Sequence, residues 1–142
     1  MKKIKLTGVI KVAAIMELAL AVGIVSFWIA FFTTDLISID DPHLKEIYLA
    51  FESAFPVPDV YLSIVLTIGG IGLLRKRSYG YFFSLMGGAS LIFLGLLDIS
   101  FNIQHGIYLT GVAEGIMNIL INLLCFGGGI FLVLIIWKKR IK

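Results

Sequence analysis

Charge is almost absent from four stretches of the chain: 12–32, 60–74, 80–97 and 115–137. Glu17 is the single charge inside them. A helix that crosses the hydrocarbon core of a bilayer needs about 20 mostly apolar residues. Three of the stretches meet that length or come close, while 60–74 looks short for a crossing. The small and polar residues within the runs recur every three or four positions. Gly80, Ser84, Gly88, Gly95, Asp98 and Asn102 fall on one helical face, and Gly111, Gly115, Asn118, Asn122, Cys125 and Gly129 fall on another. Helices with a small-residue seam and a Leu/Ile/Phe back pack seam to seam and turn their backs to lipid. The expectation is an all-α, four-helix transmembrane bundle in one domain, with spans over about 9–33, 58–75, 79–99 and 111–137.

Between the first two runs, the pattern changes. Asp41 can cap a helix and Pro42 suits its first turn. Leu44, Ile47, Tyr48, Phe51 and Phe55 then recur at helical spacing, with Lys45, Glu46 and Glu52 read as the opposite, polar face. This predicts a short amphipathic helix over about 42–54, lying on the bundle's outer end or on the membrane surface. A further reading makes it a lid over the turn that follows the third run.

Composition agrees with lipid as the solvent. Hydrophobic residues make up 59% of the 142 and charged residues only 15%, which leaves too little polar surface for a water-soluble domain of this size. The net charge of +3 is a topology signal. Lys2, Lys3, Lys5 and Lys11 precede the first run, Arg75, Lys76 and Arg77 separate the second and third, and Lys138, Lys139, Arg140 and Lys142 follow the fourth. The other two connections hold only Lys45. Basic flanks stay inside, so both termini and 75–77 are expected in the cytoplasm, in a multi-pass cell-membrane protein. The same placement argues against a nucleic-acid partner. The length of the first run, together with Glu17 within it, reads as a retained span rather than a cleaved leader. Cys125 stands alone, so no internal disulfide can form.

The candidate chemistry lies around 97–108. Asp98, Asn102 and His105 follow one another by helical turns, and Glu114 stands at the mouth of the next run. Acids at the edge of lipid mark ligand, ion or proton paths more often than packing. Asp98 and Glu114 are expected at similar depth as a coupled acidic pair. A column of Glu114, Asn118, Asn122 and Glu17 would then lead toward the membrane's middle. The bland alternatives are helix–helix glue for Asn118 and Asn122, and a helix-end cap for Asp98. His43 and Glu46 could join His105, but the spacing fits no metal motif, and no metal or cofactor is expected. No phosphate loop, dinucleotide fingerprint, Cys-x-x-Cys or serine elbow is present.

Three strings, Phe55-Pro56-x-Pro58-Asp59, Gly72-Leu73-Leu74-Arg75 and Leu97-Asp98-x-x-Phe101-Asn102-x-x-x-Gly106-x-Tyr108, resemble a set of small prokaryotic four-helix membrane proteins with no assigned function. The likeness covers the second and third helices and the turn. It implies a shared fold and no activity. The leading functional expectation is therefore a non-enzymatic membrane protein that binds or passes a small solute, lipid or cation through its polar seam. The candidate residues are Asp98, Glu114, Asn102, His105, Glu17, Asn118 and Asn122. The alternatives are an enzyme acting on a lipid-soluble substrate, with Asp98 and Glu114 as acid and base, and an accessory subunit. The expected partners are the bilayer, a small-molecule or lipid ligand, and a second copy or a membrane partner subunit.

Overall fold

The computed structural model describes residues 6–140. Lys2, Lys3, Lys5 and Lys142, which carry part of the basic-flank pattern, lie outside the described residues. Six α-helices form among the described residues: α1 Gly8–Thr33, α2 Pro42–Glu52, α3 Pro56–Leu74, α4 Tyr79–His105, α5 Val112–Asn122 and α6 Gly128–Arg140. A π-helical turn, Leu123–Gly127, joins α5 to α6, so these three pieces make one long fourth span. With α1, α3 and α4, that gives four helices long and apolar enough to cross a membrane. The protein is an all-α, multi-pass membrane bundle.

The short second run is completed by its flanks. α3 starts at Pro56, where an absent amide proton costs nothing because the first amides of a helix are unpaired anyway. Its 19 residues reach about 28 Å at ~1.5 Å each. The far end closes with Lys76 in the left-handed region (φ 57°), where the Arg77 amide donates to the Gly72 carbonyl and the Lys76 amide to Leu73. That tight turn sends the chain straight into α4.

Packing follows the small-residue seams. α1 lies on α3, α3 on α4, and α4 on α6. A methyl group placed on Gly72 would fall 2.7 Å from the Gly80 Cα, so α3 and α4 meet backbone to backbone. One placed on Gly129 would fall 2.7 Å from the Gly88 carbonyl oxygen, which fixes α6 on α4 in the same way. The ring of helices is not closed evenly. α1 meets the fourth span along α6, and the two diverge toward the end that carries α2. The core between them holds Ile10, Ala13, Ala14, Leu66, Leu73, Leu132 and Ile136.

At the α2 end a second, smaller core forms. Ile37, Ile39, Tyr48 and Ile107 are buried together, with Leu44, Phe101 and Met117 packed around them. α2 begins as its sequence predicts: the Asp41 carboxylate accepts from the His43 and Leu44 amides, and Pro42 fills the first turn. Its side chains tie it down. Phe51 stacks on Phe101 with centroids 3.8 Å apart, Phe101 stacks on His105, and Tyr48 is 1% exposed.

Two expectations change here. The third span was expected to end near 99, but α4 continues to His105 and stops at Gly106, whose φ of 66° a side chain would strain. Asp98 therefore lies two turns inside a helix and caps nothing. Glu52 was read as part of the polar face of α2, but it is buried. It stands four residues after Tyr48 and shares that residue's inward face.

Candidate functional site

Where α1 and α5 diverge, they leave a cavity of about 410 Å³. Its apolar wall comes from Met16, Leu20, Ile24 and Phe27 on α1, Leu94 on α4, and Ile121 and Leu124 on the fourth span. Three carboxylates line it: Glu52 from the end of α2, Asp59 from the first turn of α3, and Asp98 from α4. Asn118 and Asn122 from α5 complete the polar part. Among the described residues, no Lys, Arg or His lines the cavity.

Two of the acids, Asp59 and Asp98, are held by a hydrogen bond from a neighbour. The Trp28 indole on α1 donates to Asp59 Oδ2 at 2.8 Å. The Asn102 carboxamide nitrogen donates to Asp98 Oδ2 at 3.3 Å and to Asn118 Oδ1 at 3.2 Å. Asn118 in turn donates to the Glu114 carbonyl at 3.0 Å, which sets its amide orientation. Asn122 donates to the Tyr108 hydroxyl at 2.8 Å, and its own Oδ1 has no partner although the residue is buried. Burial pushes the Glu52 carboxyl up to about 7. The charges of Asp98 and Asp59 push the same way, and the Tyr48 hydroxyl opposes them. Burial, then the neighbouring Glu52 charge, raises the Tyr48 phenol as well. Glu52 thus carries a carboxyl outside the spanning segments that titrates near neutrality in the company of two others.

The seven residues singled out from sequence divide. Asp98, Asn102 and Asn118 form one hydrogen-bonded group; Asp98, Asn118 and Asn122 line the cavity, and Asn122 bonds Tyr108. Glu114 does not join Asp98. Its Oε1 accepts from both the amide and the hydroxyl of Ser38, each at 2.6 Å, and it anchors the segment between α1 and α2. An acid that already receives two donors is a tether, so the coupled Asp98–Glu114 pair does not form. His105 is also engaged locally: Nδ1 lies 3.1 Å from the Phe101 carbonyl oxygen, and the ring stacks on Phe101. Glu17 is fully buried in another place. A methyl group on Gly69 would meet Glu17 Oε1 at 2.7 Å and Ser84 Oγ at 3.0 Å, so Glu17 faces α3 and α4 and leaves the column expected with Asn122. Asp35 lies past the end of α1 and is exposed. Among the described residues no group of His, Cys, Asp and Glu could hold a metal ion.

Sequence reasoning missed Glu52 and the Trp28–Asp59 bond. The spacing of Glu52 from Tyr48 carried a signal. The Trp28–Asp59 pair is separated by 31 positions and carried none. Compared with known proteins, the chain matches no family model, no curated protein and no solved structure.

Proposed function

We propose that this membrane protein binds a small, positively charged solute in the cavity between α1 and the fourth span. One observation carries the reading: Glu52, Asp59 and Asp98 face a single cavity whose lining, among the described residues, includes no basic side chain. Like charges sharing a low-dielectric site repel one another, and a bound cation removes that cost. The cavity's size lies within the range of roughly 300–1,000 Å³ usual for small-molecule sites. By the distribution of basic residues, both termini and 75–77 face the cytoplasm of a cell membrane, and the cavity belongs to the outer half. In a Cys125→Ser background, an impermeant thiol reagent should label Glu46→Cys in intact cells and reach Arg77→Cys only after permeabilisation. The reverse order would invert this topology.

Trp28 is a built-in reporter of the site, because its indole bonds Asp59. In a Trp137→Phe background it is the sole indole. Hexylamine should shift its emission and hexanol should not. Asp98→Asn should weaken hexylamine at least about tenfold, the order of one lost charge contact. The pH dependence has a definite sign. The Glu52 carboxyl is raised from 4.5 to about 7 in the fold. Its contribution to stability without ligand is present below the lower value and lost as pH rises through the upper one. Binding runs the other way. Ionised Glu52 attracts the ammonium, so affinity should rise between pH 6 and 8, and Glu52→Gln should flatten the profile. An equal response to hexanol, or no response to either compound, would sink the proposal.

A further inference from the structure

We infer that the solute is a long-chain primary amine, an amphiphile that enters sideways from the bilayer with its ammonium group seated among Glu52, Asp59, Asp98 and Asn122. This rests on the cation site proposed above and adds the ligand's tail, its head and its route.

The route follows from where the cavity is open. Ala19, Gly23 and Leu124 line it and are also exposed on the outside of the bundle, on the two helices that diverge. On a membrane-spanning bundle, that outside is lipid. The water-facing end is covered instead. Ser38 is bonded to Glu114, Ile37 and Ile39 are buried beside Ile107, and α2 brings Tyr48 down over the same core. A solute arriving through the side gap passes only apolar groups before it meets the acids. A short hydrophilic cation gains nothing from that passage, whereas a hydrocarbon tail remains in surroundings like the bilayer it left.

The head follows from the kind of polar atoms on offer. The carboxylates are acceptors. The Asn122 amide nitrogen donates to Tyr108, and its Oδ1 is unpartnered in a residue more than nine-tenths buried. The N–H donors already present, from Trp28 and Asn102, go to one oxygen each of Asp59 and Asp98. The remaining acceptors need donors. A primary ammonium supplies three N–H groups and a charge. A quaternary ammonium supplies the charge alone.

The test uses the full chain in lipid nanodiscs, with Trp28 emission read in the Trp137→Phe background. Dodecylamine, dodecyltrimethylammonium and dodecanol are titrated as mole fractions in the lipid. Dodecylamine should bind at least tenfold tighter than dodecyltrimethylammonium, and dodecanol weakest of all. Equal affinity for the two cations would overturn the N–H reading while leaving a cation site. Dodecanol binding as tightly as dodecylamine would remove the cation site itself. Gly23→Phe tests the route. A β-carbon at Gly23 meets nothing within 4 Å, so bulk can be added there without disturbing the bundle. It should weaken dodecylamine at least tenfold with the melting temperature unchanged. Ala19→Phe, on the same rim, should act alike. Unchanged dodecylamine binding in both variants would overturn the lateral entry.

Discussion

Gly80→Val will strongly destabilise the folded bundle, while Gly127→Ala will leave it intact. A β-carbon at Gly80 would lie 2.5 Å from the Leu73 nitrogen and 2.6 Å from the Gly72 carbonyl carbon. Those are backbone atoms of a helix and cannot swing away, so α3 and α4 must separate. Overpacking of an ordinary core costs about 1–3 kcal/mol, and a clash with backbone along a helix seam belongs at or above the top of that range. Because α4 also seats α6 through Gly88 and Gly129, the loss spreads to the fourth span. Gly127 offers the contrast. Nothing lies within 4 Å of its virtual β-carbon, so alanine there should change stability by no more than about 0.5 kcal/mol. Thermal melts of both variants in mild detergent provide the check. Equal melting temperatures would mean that α3 and α4 do not meet at this seam.

The second large effect is expected at Glu114. Glu114→Ala removes the acceptor of two 2.6 Å bonds from Ser38, at a part-buried contact between a buried acid and an exposed serine. Hydrogen bonds to charged groups are worth about 1.5–3 kcal/mol, and because the exposed Ser38 donors can turn to water the loss falls toward the lower end of that range. The segment 34–41 should come loose, and with it the cover over the cavity. Proteolysis between Thr34 and Asp41 should speed up at least about tenfold relative to the unmodified chain if that loss is about 1.4 kcal/mol or more. Protection equal to that of the unmodified chain would mean the tether is incidental. A pair of double-mutant cycles separates this role from the cavity. Asp98→Asn and Glu114→Gln should combine additively, within about 0.5 kcal/mol. Asp98→Asn and Glu52→Gln, whose charges act on one another, should not.

The helices were legible because lipid imposes long uncharged runs, and the amphipathic helix was legible because Asp41-Pro42 is a local start signal. The inward faces were legible too: Asp98, Asn102, Asn118 and Asn122 are all buried, and Asn102 bonds both Asp98 and Asn118. What failed was pairing across helices. Glu114 and Asp98 stand on seams that both turn inward, yet a helix face spans enough arc for one acid to meet a strap and the other a cavity. No periodicity encodes Ser38 as the partner of Glu114, since the two are 76 positions apart. The π-helical turn was also hidden. It adds a residue to one turn within an unbroken apolar run, and only Gly127 at its end and Gly128 and Gly129 just after it hint at it. Glu52 was misplaced for a simpler reason. Charge alone assigned it to the polar face, although its spacing from Tyr48 assigned it to the other.

The cation site can be located chemically. A lipid-soluble carbodiimide activates a buried carboxyl group, and an amine bound beside it is captured as an amide. The modified residue is then read by peptide mass spectrometry. With dodecylamine present in nanodiscs, the amide should form on Glu52, Asp59 or Asp98, and should disappear in Glu52→Gln/Asp59→Asn/Asp98→Asn. Capture on Glu17 or Glu114 instead, with those three acids unmodified, would contradict the site.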